Sequence, residues 1–374
     1  FARFAGHGFI LETAVAEDGT AYRCAMDEAW YFQSVERFFL AVASRYQGKL
    51  PVYVQYVFLY RLMFRLAFNE NQKDTHVISG ENLPQWKAAL CRVLQHISDE
   101  LIADMNHISK FHTKPHVALW LLEVKHGDKY SSSICYNAKN LFVNACGRKL
   151  LTVESLAVQI EVLDYDRDSL IMECSTPGFF EVHNIMPHAE IDGTELVCEN
   201  SYYFGHRKLF GESFWKRHTF RIRIPFAMLQ ESRLEFYYLV DGYRYPVKIG
   251  AKRFPAKLND TVPGSYWRCK DYLLSFGKKR ACIRISPYSA EMHRELELKL
   301  QEACMNSAAE EDRENIAYLM NLRNRFYATR EGFENRNIWI TFDKLYKAGD
   351  NGEYFMRRVR EQSDGVEIHY IINE

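Results

Sequence analysis

The sequence predicts a multidomain α+β protein: an N-terminal helical segment, a central β-sandwich, a helical linker and the first βαβ corner of a parallel sheet. Three observations carry this expectation. Apolar residues recur at helical spacing through the first third of the chain. From Ser155 to Ser286, short apolar runs are divided by turn residues at intervals of roughly 8–15 residues, the texture of a sandwich. Near the end, a strand-like run, a capped helical run and a second strand-like run follow one another, which is the pattern of a βαβ unit.

The chain has 374 residues, enough for two or three domains, and its 47% apolar and 14% aromatic content supplies a sizeable core. Lys+Arg and Asp+Glu both number 48, so the net charge is zero and no nucleic-acid partner is expected. The nine cysteines include no C-x-x-C pair and no zinc spacing, which suits reduced, mostly buried thiols in a cytosolic protein. Phe1 is not an initiator methionine and the chain stops just after a strand, so it reads as an internal piece of a larger protein.

Residues 1–26 read as short strand-like and turn pieces around Gly6-His7-Gly8 and Asp18-Gly19-Thr20. A helix is expected from Asp27, with Trp30, Phe32, Val35, Phe38, Phe39, Val42 and Tyr46 as its apolar positions and Gly48 as its end. Pro51 opens the next helix, where a missing N–H costs nothing. This one, Val52 to Phe68, is almost wholly apolar or aromatic but carries Gln55, Arg61 and Arg65. It sits at the short limit for a membrane span, and each central Arg would cost roughly 2.5–3.5 kcal/mol in lipid. A buried domain helix is therefore expected, with an interfacial helix as the next reading. Asn82-Leu83-Pro84 starts a third helix, with Trp86, Leu90, Val93, Ile97, Leu101 and Met105 in one stripe that ends near His107.

After Pro115 the texture changes: Val117 to Val124 is an apolar run that stops at His126-Gly127-Asp128. Ser155 to Leu163 alternates and pairs back onto Ser169 to Cys174. Further strands are expected over Phe179–Ile185, Glu195–Phe204, His218–Pro225, Leu234–Val240 and Tyr245–Ile249, with Asp241-Gly242 as a hairpin turn. Tyr266–Phe276 and Arg280–Ser286 form the last hairpin, over Gly277-Lys278-Lys279. A charged helical stretch follows from Ala290 to about Arg330, with Leu296, Leu300, Ile316, Leu319, Met320 and Phe326 on one side and a break near Asn306-Ser307.

The closing stretch begins with Ile338 to Phe342, too short for a helix and suited to a buried strand. Asp350 with Glu353 is a capping-box pattern for a helix that runs to Gln362, with Arg357, Arg358 and Arg360 suiting its dipole. Asp364-Gly365 turns the chain into a second strand, Val366 to Ile372. The expected divisions are a helical segment over 1–110, a sandwich over 111–288, a helical connector over 289–334 and the βαβ corner over 335–374.

Four features could carry chemistry. The loop from Asp343 to Asn351 leaves the carboxyl end of a strand, where open α/β sheets bind ligands, and a helix N-terminus lies behind it. Asp350 is equally well explained as a cap, and Gly349 by its backbone freedom. Asp164-Tyr165-Asp166 matches the D-x-D that holds a divalent metal in nucleotide-sugar transferases, but at a hairpin tip acidic residues serve turns more often. His112 and His116 have helical spacing for a metal, yet Pro115 between them argues against it. Tyr202, Tyr203, Trp215, Arg217, Tyr237, Tyr238, Tyr243, Arg244 and Trp267 make an aromatic and basic β surface, either a sugar-polymer face or ordinary core and contact residues.

Ile338-Trp339-Ile340, Asp343 and the run Ala348-Gly349-Asp350-Asn351-Gly352-Glu353 resemble the start of the CDP-glycerol glycerophosphotransferase family, whose members extend teichoic-acid-type polymers. Lys344 stands where that family usually has Arg. Trp30-Tyr31-Phe32, Leu50 to Tyr56 and Tyr60 to Arg65 resemble the segment that follows a family-two glycosyltransferase domain. The resemblance implies a bifunctional parent, with the corner opening a Rossmann-like GT-B domain. It implies CDP-glycerol and a glycerol-phosphate polymer acceptor as partners, at the inner face of the cell membrane. Asp343, Lys344, Gly349, Asp350 and Asn351 would border the acceptor side of the cleft. The family's essential histidines would lie further along and the sugar transferase's acidic motif before Phe1. No catalytic residue, metal ligand or cofactor is therefore expected in this chain, a divalent cation being allowed only for the parent glycosyltransferase, and the chain alone is expected to be inactive. Membrane contact and self-association stay open. So do two other readings: a polymer-binding or oligomerisation module without catalysis, and an unrelated enzyme with its site between sandwich and helices.

Overall fold

The structure is a computed structural model that describes residues 27–70, 77–104, 115–201, 206–329, 336–342, 351–362 and 365–371. The pieces expected over 1–26 lie outside the described residues. Two compact units emerge, one reaching Leu296 and one starting at Glu297.

The larger unit opens with helix α1, which runs through Glu28–Ser34, Val35–Leu40 and Ala41–Arg45. Asp27 caps it, its Oδ1 accepting the Ala29 N–H at 2.9 Å. The middle stretch is wound as a π-helix. Across it the adjacent rings of Phe38 and Phe39 both reach Phe58, at 5.9 and 4.8 Å. Helix α2, Val52–Asn69, follows Pro51 as expected and buries Phe58, Leu59, Leu62 and Leu66. Among the described residues no helix is long and apolar enough to cross a membrane.

The third helix stops earlier than its stripe suggests. Helix α3, Leu83–Leu94, ends, and Ser98 caps a separate short helix α4, Asp99–Ala103. Ser98 prefers a cap to a helix interior, and its N–H is taken by Gln55 Oε1 at 2.8 Å from α2. Ile97 and Leu101 stay buried on either side of the break, which is why the spacing looked continuous. The apolar run after Pro115 is helix α5, Pro115–His126, with proline at its first position.

Asp99 joins α4 to α5, taking Lys125 Nζ at 2.6 Å and His126 Nε2 at 3.0 Å. Burial alone would raise the Asp99 pKa, but the Lys125 hydrogen bond and charge, with His126, hold it below the usual carboxylate range. A depressed carboxylate stabilises the fold above its unfolded pKa, and the contribution is lost as pH falls through the folded value. Asp99→Asn is therefore expected to cost about 1–2 kcal/mol at neutral pH. Urea titrations should show the gap from wild type closing below about pH 4.

Strands β1 (Ser132–Tyr136), β2 (Leu141–Ala145) and β3 (Arg148–Thr152) form an antiparallel meander. Among the described residues the main sheet has eleven strands. On one side lie β4 (Ala157–Tyr165), β5 (Ser169–Thr176), β11 (His218–Pro225) and β8 (Glu199–Asn200). On the other lie β12 (Ser232–Val240), β16 (Ile283–Pro287), β15 (Tyr272–Phe276) and β14 (Tyr266–Cys269), with β6 (Pro187–Ile191) and β7 (Thr194–Leu196) paired off β12. Strand β13 (Tyr243–Gly250) joins the two sides, pairing antiparallel with β12 and then parallel with β4. Phe220 of β11 and Phe236 of β12 meet in the core at 6.1 Å. Asp241 and Gly242 both have positive φ, as the hairpin turn requires.

Three strand expectations change. The run expected over Glu195–Phe204 divides into β7 and β8, with residues 202–204 outside the described residues. Phe179 and Phe180 are buried, but the chain there winds into a short 3₁₀ turn, Glu181–His183. Gly178 lies so close to the Lys216 carbonyl that a Cβ would overlap it, and the Glu181 carboxylate turns in to accept the Tyr238 hydroxyl at 2.8 Å. The run from Tyr266 to Phe276 is itself a hairpin, folded at Lys270-Asp271 with Lys270 at φ 49°. Lys270 Nζ donates to the carbonyls of Asp166 and Arg167, at 2.8 and 2.7 Å, which holds the turn in place. A further two-stranded ribbon, β9 (His206–Leu209) with β10 (Glu212–Lys216), links to α2 through a bridge from Leu209 to Glu70.

The smaller unit contains most of helix α6, Ala290–Ser307, and helix α7, Arg313–Thr329, which break where expected. Leu319 and Phe326 are exposed rather than packed. Arg323 Nε instead meets the buried Glu297 carboxylate at 2.5 Å. The unit ends with β17 (Ile338–Phe342), helix α8 (Asn351–Gln362) and β18 (Glu367–Ile371).

Candidate functional site

The corner has the connectivity its sequence suggests. Strands β17 and β18 pair parallel, with Ile338 opposite Glu367 and Phe342 opposite Ile371, and α8 lies between them in the chain. Trp339 stacks on Phe355 of α8 at 5.8 Å, and Thr341 Oγ1 donates to the Gly352 carbonyl at 3.3 Å. Val359 and Ile368 are buried, while Ile340, Phe342 and Ile371, which alternate with Trp339 and Ile368, are exposed. Glu367 is held below the usual carboxylate range by hydrogen bonds from His369 and Arg336.

Asp343, Lys344, Gly349 and Asp350 lie outside the described residues. Asn351 is the exposed first residue of α8. The Asp350 cap is outside as well, and Glu353 accepts from Arg357 within the helix.

The other candidates resolve toward structural roles. Asp166 Oδ1 accepts the N–H groups of Asp168 (3.0 Å) and Ser169 (2.8 Å), and its Oδ2 takes Arg223 Nη1 at 2.7 Å. Those backbone hydrogen bonds, with Arg223, lower its pKa. It closes the β4–β5 turn. His112 is outside the described residues, and His116 packs on Phe214 at 5.4 Å with Glu70 at 3.6 Å. Among the described residues no group of three His, Cys, Asp or Glu side chains is placed to hold a metal ion.

On the aromatic and basic surface, Tyr202, Tyr203 and the Trp215 side chain are outside the described set. Arg217 turns inward to Glu161, and Tyr238 is buried on Glu181. Tyr237 stacks on His188 at 5.3 Å beneath Arg244, 3.8 Å from its ring centre, and Trp267 lies 6.2 Å from Tyr165. Tyr243 is partly exposed. Of the eight cysteines in the described residues, all free, only Cys174, Cys269 and Cys282 are fully buried. Burial pushes Cys198 and Cys269 to about 11, so neither is a ready nucleophile. Two open grooves are lined by described residues of the larger unit. One, of about 450 Å³, lies between α4 and β3, and the other, of about 400 Å³, lies among α3, α5 and β10.

The described residues thus define a multidomain α+β protein with a large mixed sheet and a βαβ corner. No family model matches the sequence. The chain is similar to the minor teichoic acid biosynthesis protein GgaB of Bacillus subtilis (strain 168), at 20% identity over 371 residues. That match takes in 96% of this chain and 40% of GgaB, so the chain spans two fifths of the length of the curated relative it matches. Among solved structures, the crystal structure of S. aureus TarS aligns with a TM-score of 0.31 and 11% identity, over 57% of this chain and 41% of that one.

Proposed function

We propose that the chain is the central part of a transferase that builds teichoic-acid-like or capsular glycerol-phosphate polymer. The observation that carries this is the parallel pairing of β17 with β18 across α8, at the residues where the family resemblance lies. The similarity of 96% of this chain to part of a protein of minor teichoic acid biosynthesis supports the same reading. A parallel sheet is stable when both faces are covered, and the exposed Ile340, Phe342 and Ile371 fit a corner that further strands and helices of a Rossmann-like domain complete.

In this reading Asp343, Lys344, Gly349, Asp350 and Asn351 border the acceptor side of a cleft. A glycerol hydroxyl of the polymer attacks the β-phosphate of CDP-glycerol. The new oxygen–phosphorus bond forms as the bond to CMP breaks, and a base outside this chain takes the hydroxyl proton. The divisions at 1–110, 111–288, 289–334 and 335–374 are proposed with it, as is a peripheral position on the inner membrane face. The test compares CMP release from CDP-glycerol by the 374-residue chain and by the longest protein its gene encodes. Turnover is expected only in the longer form, with Asp350→Ala lowering kcat/KM about ten-fold or more. Release by the short chain overturns the division of labour, and none by the long form overturns the transferase reading.

A further inference from the structure

Helix α7 is tied down along one face and leaves a second, apolar face open. Ile316, Met320, Arg323 and Tyr327 are half-buried on the first face. There Arg323 Nε donates to Glu297 at 2.5 Å, and Gln301 Nε2 of α6 donates to Asn324 Oδ1 at 2.7 Å. Roughly a quarter-turn around the helix, Tyr318 is 64%, Leu319 61%, Leu322 42% and Phe326 59% exposed. Such residues are ordinary when scattered singly, but four along one helix face mark a contact surface.

Their spacing is that of a coiled-coil seam. Asn315, Leu319, Leu322, Phe326 and Thr329 alternate by four and three residues, so they form one line down the helix. Tyr318 and Arg325 flank that line, each just before a seam residue. Charge is uneven along it. Glu310, Glu311, Asp312 and Glu314 crowd the start, with only Arg313 among them, and Arg313 pairs with Glu310. Near the other end Arg325 is exposed and has no carboxylate partner among the described residues.

An identical helix laid antiparallel answers each of these features. Its basic end approaches the acidic start, Leu319 of each copy meets Leu322 of the other, and Asn315 meets Phe326. Tyr318 then faces Arg325, placing a cation over a ring on both sides of the axis. A parallel copy would set acid against acid and Arg325 against Arg325. We propose that this face of α7 is the contact between two copies of the chain, paired antiparallel about a two-fold axis. The helix is about 25 Å long, so the interface is small and the dimer should form at roughly tens of micromolar. No residue of the βαβ corner takes part, so this contact stands or falls apart from the transferase reading.

The test is sedimentation equilibrium of the 374-residue chain from about 5 to 200 µM, a range that brackets the expected Kd. A monomer–dimer equilibrium is expected. Leu322→Glu should weaken it more than ten-fold, because the change counts twice across the axis. Tyr318→Ala and Arg325→Ala should each weaken it about five-fold, and together little more than either alone. Ile340→Glu, on the exposed side of the corner, should leave it unchanged. All four side chains are exposed, so urea midpoints should match wild type at low concentration. Should Leu322→Glu fail to fold, the Tyr318 and Arg325 variants still decide. A monomer throughout the range leaves the seam to another occupant and overturns the proposal. A dimer that Leu322→Glu leaves intact, or that Ile340→Glu abolishes, places the contact elsewhere and overturns it too.

Discussion

Glu161→Ala is expected to destabilise the larger unit by about 3–5 kcal/mol, because it removes the buried carboxylate of an ionic cluster. Glu161 is 4% exposed and stands where the β4–β5 register shifts between Ile160 and Val162. The bulge puts two successive residues, Ile160 and Glu161, into the interior. There the carboxylate accepts the Ser175 hydroxyl at 2.6 Å, Arg217 Nη1 at 2.8 Å and Arg253 Nε at 3.1 Å. Arg217 is itself largely covered, so losing its counter-charge should dominate the effect. Arg253 is half exposed and should matter less, so Arg253→Ala is expected to cost under about 1 kcal/mol. Urea unfolding of the three proteins checks this. Equal midpoints for Glu161→Ala and wild type would refute the cluster's role.

The second large effect belongs to the helical layer. Trp86→Ala should cost about 3–5 kcal/mol, the range for removing a large aromatic side chain from a closed core. Trp86 is 0% exposed and packs edge-on against Tyr31 at 5.5 Å, Phe32 at 6.0 Å and Phe210 at 6.4 Å. Its indole Nε1 has no acceptor, so its worth lies in packing and not in a hydrogen bond. Trp86→Phe should then lose less than about 1.5 kcal/mol, since the ring volume is mostly kept and no bond is broken. A phenylalanine variant as unstable as the alanine one would show that the indole makes a specific contact. Because Phe210 precedes β10, the alanine variant should also loosen the β9–β10 ribbon, which hydrogen exchange of its amides would reveal.

Elements specified by neighbours in the chain were legible. Asp27 caps α1, Pro51 precedes α2, Asp241-Gly242 turns β12 into β13, and β11 runs from His218 to Pro225 as its alternation indicates. The parallel corner was also legible, because a short β-branched run, a helix start and a second run leave little room for another arrangement. Of the five candidate site residues only Asn351 falls within the described structure. The α3 stripe misled, since Ile97 and Leu101 keep helical spacing across a break that Ser98 and the α2 residue Gln55 impose.

By itself the sequence determined where helices and hairpins begin, the order of helical layer, sheet and βαβ corner, and the resemblance that motivates the functional proposal. Caps, turn residues and apolar periods act over a few positions, so they can be read without knowing the fold. Only the tertiary structure decided that Glu161 faces inward, that Phe179 and Phe180 plug the core instead of forming a strand, and that Arg65 is buried against the Trp30 and Phe39 rings. In each case the deciding partner is distant in the chain: Arg217 and Arg253 for Glu161, Tyr238 and Lys216 for the plug, Trp30 and Phe39 for Arg65. A charged side chain accepts burial only when such partners are assembled around it, and that assembly exists only once the chain has folded.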